Sequence, residues 1–313
     1  MSNIYIQLAH QGQNNWWRYI IGTVFSLFLF LFVGSTATLG LLYFYATADN
    51  NPATQFASIE AIEAGKEIVV GGSPLVIYAA YNAAFLFFLL GIWLSVRLFH
   101  HRGLMSLVTP YRRISWKRIA QGFCVFFLIK TIEIMVSYAL APQEFTFNFQ
   151  LVPFLLFLPL VALITPIQTT AEELFFRGYL LQGVGAHLGK WMAMLLPSLL
   201  FCLLHLSNPE VTSQSSWEGK ASLAIYFFMI AVFLAWLTIK DNSLELAAGV
   251  HAANNMATFL LVTSDNSVLP SPAIFSIAKI EANFASVFFT ALTLWIFSFV
   301  IFRLMKRPVL PIN

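Results

Sequence analysis

Between Tyr19 and Met305 the chain returns again and again to runs of about twenty or more apolar residues, separated by short polar stretches. A run of that length needs about 30 Å of hydrocarbon to bury it, so the sequence is constrained to a helical fold that crosses a bilayer. Composition agrees: 59% of the 313 residues are hydrophobic and only 10% are charged, against about 45–50% and about 25% in soluble domains. Eight such segments are expected, at 19–46, 74–98, 117–141, 150–182, 189–206, 221–240, 243–262 and 284–305. The expected fold class is therefore all-α, a polytopic membrane bundle forming one integral membrane domain over 1–313. Ser35-Thr36-Ala37 loosely resembles a signal cleavage site. The apolar character continues beyond it to Tyr45, so an uncleaved first span is the reading.

Basic residues set the orientation. The stretch 97–118 holds Arg97, Arg102, Arg112, Arg113, Lys117 and Arg118, whereas 47–72 holds Asp49, Glu60, Glu63 and Glu67 against Lys66 alone. Lys and Arg near span ends face the cytoplasm. Alternation then puts both termini inside, with 12 Lys and Arg inside and 3 outside (Lys66, Lys220 and Lys279). The net charge of +3 reads as topology, and nucleic acid is excluded as a partner. Membrane lipid is the expected surround, and the multi-pass chain is placed in the cytoplasmic membrane of a bacterium. The segment 264–283, with Pro270 and Pro272, is expected to lie along the surface.

Against this apolar background, Glu172-Glu173-Leu174-Phe175-Phe176-Arg177 is an anomaly. Ionisable groups at bilayer depth are costly unless paired or facing an internal cavity. Glu173 and Arg177, four apart with the acid first, suit an ion pair on one helix face, while Glu172 is rotated about 100° away. Glu172 is therefore the group available for proton transfer. Phe201 and His205 share a face of the fifth segment, and His251 and Asn255 share a face of the seventh beside Ala252 and Ala253. A histidine and a carboxamide donating into one cavity suit a developing oxyanion. Glu172, His205, His251 and Asn255 thus form a hydrolytic inventory, without a nucleophile-elbow serine, an HExxH helix or an aspartate pair. Transport, with Glu172 and His205 relaying protons or binding a cation, is the alternative. Interhelical glue is the plain reading, and it is the one adopted for Lys130 and Glu133. His100 and His101, in the basic loop, are read as solvated.

Glu172-Glu173-x-x-x-Arg177, Phe201-x-x-x-His205 and His251-x-x-x-Asn255 resemble, in order and spacing, the three motifs of the CPBP family of intramembrane proteases, also called the Abi or CAAX-protease family. The resemblance covers roughly 150–260, the expected catalytic core, and extends to Gly178-Tyr179-Leu180 and Leu206. It implies an endopeptidase acting near the membrane on a protein or peptide that is lipidated or membrane-anchored, CAAX processing being the prototype. By position it implies that Glu172 and His205 activate water and that His251 and Asn255 hold the oxyanion, with Glu173 and Arg177 shaping the site. Family members are often labelled metalloproteases, and Glu172, His205 and His251 are the candidate ligands of a divalent ion such as zinc. A metal-free glutamate mechanism uses the same residues and is the version carried forward. Counted from the cytoplasmic span ends at about 1.5 Å per residue, Glu172 and His251 fall about 12–18 Å deep and His205 nearer about 25 Å. Bringing them together requires tilt, a kink at Pro197 or a shortened fifth span.

Overall fold

The computed structural model describes residues 3–48, 51–63, 73–267, 269 and 271–306, with backbone alone at 52, 56 and 61–63. Asp49, Lys66, Glu67 and Pro270, invoked above for topology and loop character, lie outside the described residues. Among the described residues six helices are long and apolar enough to cross a membrane. They are α1 (Trp16–Thr47), α2 (Pro74–Phe99), α3 (Trp116–Leu140), α4 (Leu151–His205), α5 (Trp217–Asp241) and α7 (Phe284–Leu304). Between the last two stands α6 (Glu245–Leu260), only 16 residues long. The chain is an integral multi-pass membrane protein.

α4 departs from the expected segmentation. Its 55 residues would extend about 80 Å if straight, far more than a bilayer's hydrocarbon thickness. The helix instead breaks at Gly189, whose φ of 83° and ψ of 173° are not helical. That region is essentially closed to residues with a side chain, so the turn sits at the glycine. Pro197 stays inside the helix. The stretch 183–188, expected to be a loop, is helical as well.

The short α6 is gripped by α3 through two glycines. A Cβ on Gly249 would meet the Ile119 carbonyl oxygen at 2.1 Å, and one on Gly122 would meet that of Leu246 at 2.5 Å. Backbones this close need bare Cα atoms, as in other membrane helix pairs. Farther along, Phe157 and Val161 of α4 share an apolar cluster with Met256 and Leu260 of α6, so these two helices run antiparallel beside each other. On α3, Lys130 Nζ lies 3.0 Å from Glu133 Oε2, which also accepts from Thr293 Oγ1 of α7 at 3.2 Å. That pair ties α3 to α7.

Two caps close the bundle. At the end remote from the basic loop, strands β1 (Thr146–Phe147), β2 (Val262–Ser264) and β3 (Phe275–Ile277) form a sheet in the order β1-β3-β2. β3 is antiparallel to β1 (Thr146 opposite Ser276) and parallel to β2 (Thr263 opposite Ser276). The all-α expectation is corrected to that extent, and Phe275–Ile277, within the segment expected to lie along the surface, forms the central strand.

At the basic end, residues 3–13 fold under the helices. Asn3 Nδ2 donates to the Ile239 carbonyl and to Asn242 Oδ1, both at 2.9 Å. Tyr5 Oη donates to the Leu107 carbonyl. Arg102 Nη1 donates to Leu8 O at 2.9 Å and Gln182 Oε1 at 2.8 Å. His100 is not solvated, contrary to the expectation; it is fully buried. Its Nδ1 donates to Gln13 O and its Nε2 accepts from Tyr179 Oη, each at 2.8 Å. Burial pushes the imidazole down to about 4, with Arg102, Arg18 and His101 acting in the same direction against the bond to Gln13. His100 is therefore neutral where an exposed histidine would begin to charge.

Candidate active site

α4 carries Glu172 and Glu173 to the point where it widens into a π-helical stretch over Leu174–Leu180. Such widened turns recur at functional sites because they re-aim side chains. Arg177 Nη1 meets Glu173 Oε1 at 2.8 Å, with the two side chains 1% and 0% exposed. The guanidinium also donates from Nη2 to Ala231 O of α5 at 3.3 Å and lies 4.6 Å from the Phe201 ring centre. A buried pair of this kind adds little net stability, but losing one member leaves an uncompensated charge that costs about 3–5 kcal/mol.

α6 sets His251 between the two glutamates. Its Nδ1 lies 2.8 Å from Glu173 Oε1 and its Nε2 lies 3.4 Å from Glu172 Oε2. A carboxylate only accepts, so Nδ1 carries hydrogen and donates to Glu173. Facing Glu172, Nε2 makes a favourable contact when one proton resides on either member of that pair. Glu173 Oε1 consequently serves Arg177 and His251 at once.

The Gly189 turn brings His205 to the same height. Glu172 lies 17 residues before Gly189 and His205 lies 16 after it, so both stand about 24–26 Å along their half-helices. The expected depth mismatch came from ending the first arm too early, near Gln182, and no kink at Pro197 is needed. His205 Nδ1 donates to Phe201 O at 2.8 Å, and its ring stacks on Phe201 at 4.1 Å and leans on Phe227 at 4.8 Å. With Nδ1–H so committed, Nε2 keeps its lone pair. His205 is within electrostatic reach of Glu172 and His251, and Phe201 stands edge-on to His251 at 6.1 Å.

Asn255 sits one turn beyond His251 on α6, half-buried, its Oδ1 accepting from Asn254 Nδ2 at 3.3 Å. Gln168, one turn before Glu172 on α4, donates from Nε2 to Glu172 Oε1 at 3.4 Å. Sequence reasoning had left Glu172 without a partner and missed Gln168 and Asn254. The i, i+4 spacing of Gln168 and Glu172 was the available signal for the first. Direct contact thus joins Glu172, Glu173, Arg177 and His251; His205 joins through Phe201; Asn255 flanks them. The sequence reads His251 as an oxyanion donor or a metal ligand; its bond to Glu173 and its approach to Glu172 come from the structure.

Among the described residues no three His, Cys, Asp or Glu side chains are gathered so as to hold a metal ion. Glu172 Oε2 and His251 Nε2 offer two donors, whereas a catalytic zinc takes three protein ligands. As they stand the residues do not fit the metal, and the chemistry is followed through the side chains alone.

A family model described as type II CAAX prenyl endopeptidase Rce1-like matches residues 151–257, a span that includes Glu172, Glu173, Arg177, His205, His251 and Asn255. The chain is 31% identical to the uncharacterized protein YyaK of Bacillus subtilis (strain 168) over 287 residues, 91% of each chain. No solved structure matches it.

Proposed function

Because this chain belongs to the Rce1-like family of CAAX-type membrane proteases, we propose that it is an intramembrane endopeptidase that cuts a peptide bond near the membrane in a lipidated or membrane-anchored protein or peptide. The observation that carries the reading is the approach of His251 Nε2 to Glu172 Oε2 at 3.4 Å, inside the family-matched segment. Around it lie an available base, a second imidazole and a carboxamide, all in a largely buried setting.

Glu172 takes the proton of the attacking water, and the Nε2 lone pair of His205 offers a second acceptor for the same water. The hydroxide adds to the scissile carbonyl carbon. The resulting oxyanion is met by Asn255 Nδ2 and by Nε2–H of His251, which with Nδ1–H held by Glu173 acts in its doubly protonated form. Glu172 then returns its proton to the departing amine, and the carboxylate is regenerated. Arg177 touches no reacting atom; it balances Glu173, which fixes the His251 ring as a carboxylate fixes the imidazole of a hydrolase triad.

The proposed architecture is eight spans in one domain, with residues 150–260 as the catalytic core and both termini cytoplasmic. The Gly189 break supports counting α4 as two spans, and α6 supplies the eighth. The basic loop 97–118 marks the cytoplasmic end. Exposed Trp16, Trp17, Trp116 and Trp191 near that end suit an interfacial aromatic belt.

Glu172→Gln, compared with wild type in liposomes on a lipidated CAAX-type peptide, tests the proposal. Cleavage by wild type and none above background by the variant is the expected result. Cleavage retained by the variant removes Glu172 from the mechanism.

A further inference from the structure

Gln168 and Asn255 stand opposite each other across the site. α4 and α6 are antiparallel, with Glu172 meeting His251 and, farther along, Phe157 and Val161 clustering with Met256 and Leu260. One helical turn from the Glu172 and His251 contact toward that cluster is Gln168 on α4 and Asn255 on α6. Each carboxamide is oriented by a neighbour. Gln168 points Nε2 at Glu172 Oε1, and its Oε1 is buried with no donor among the described residues. Asn255 turns Oδ1 toward Asn254, and no acceptor takes its Nδ2 among the described residues. The site thus has an unpartnered acceptor on α4 and an unpartnered donor on α6 among the described residues.

A trans peptide unit has the complementary pattern, because its C=O and N–H point in opposite directions in one plane. We infer that Gln168 is a substrate-binding residue: its Oε1 accepts the N–H of the scissile peptide unit while Asn255 Nδ2 donates to the carbonyl oxygen of the same unit. The inference rests on the proteolytic reading and deepens it by naming the bond class. The site selects a secondary amide. An ester at the scissile position, or a proline on the leaving side, has no N–H to offer and leaves the buried Oε1 unsatisfied.

The test uses the full chain in liposomes and two matched lipidated peptides, one with the scissile amide and one with an ester oxygen replacing that N–H. Gln168→Met removes the acceptor at similar length, and Gln168→Asn keeps a carboxamide. For Gln168→Met the amide-to-ester ratio of kcat/KM is expected to fall about tenfold from the wild-type value, the scale of one hydrogen bond, while ester cleavage, lowered only by loss of the Gln168 bond to Glu172, stays measurable and reports an intact fold. Gln168→Asn is expected to recover part of the ratio. An unchanged ratio overturns the inference alone. So does an equal loss on both substrates, which would make Gln168 only a support for Glu172. Failure of wild type on both peptides overturns the proteolytic reading, and the inference with it.

Discussion

Glu173 Oε1 lies 2.8 Å from His251 Nδ1, and the same oxygen receives Arg177 Nη1 at 2.8 Å. One buried oxygen therefore couples the neutralisation of an arginine to the setting of an imidazole.

Glu173→Gln leaves Arg177 buried without its counter-charge, and a destabilisation of about 3–5 kcal/mol is expected. The double variant Glu173→Met with Arg177→Met removes both charges and should recover most of that stability. Cleavage should not return, because nothing then holds His251. Thermal unfolding in detergent and peptide cleavage, measured on the same preparations, separate the two effects.

Gly189→Ala forces a side chain into the backbone region at φ 83° and ψ 173°. A cost of about 1–3 kcal/mol is expected. Relief of the strain moves His205 relative to Glu172, so activity should fall further than the stability loss explains. Measuring kcat/KM well below the unfolding temperature checks this, and activity tracking the folded fraction alone would refute it.

His100 gives a pH dependence with a definite sign. Its folded value of about 4 lies below the unfolded value of about 6.5, so the unfolded chain binds the extra proton between them. Stability contributed by neutral His100 is complete above about 6.5 and is lost as pH falls toward about 4. Unfolding temperature against pH, compared between wild type and His100→Asn, should show a steeper acid decline in wild type over that window.

Much of the site was legible because helical spacing is local. The i, i+4 rule joins Glu173 to Arg177 from the sequence alone, and the same rule places His251 and Asn255 on one face. Apolar length located every long helix except α4 to within a few residues. What escaped is what depends on the chain returning to itself. Gly189 is one glycine among many, and nothing local says that it adopts the conformation that equalises the two arms of α4. His100 looks like a loop residue until Gln13 and Tyr179 are brought to it. Gln168 and Asn254 escape for another reason: their partners Glu172 and Asn255 are local, but carboxamides of this kind are common in polar stretches and match no motif.

The hold of Asn3 on Ile239 and Asn242 has a bearing on assembly. These bonds span 236 and 239 positions of the chain, among the longest loop closures the molecule makes. Synthesis delivers Asn3 first and its acceptors only after five long apolar helices have left the ribosome. Tyr5 and Leu8 can be held by Leu107 and Arg102 long before then, so the basic-end cap is built in two stages, and its clasp at Asn3 shuts only when α5 is complete.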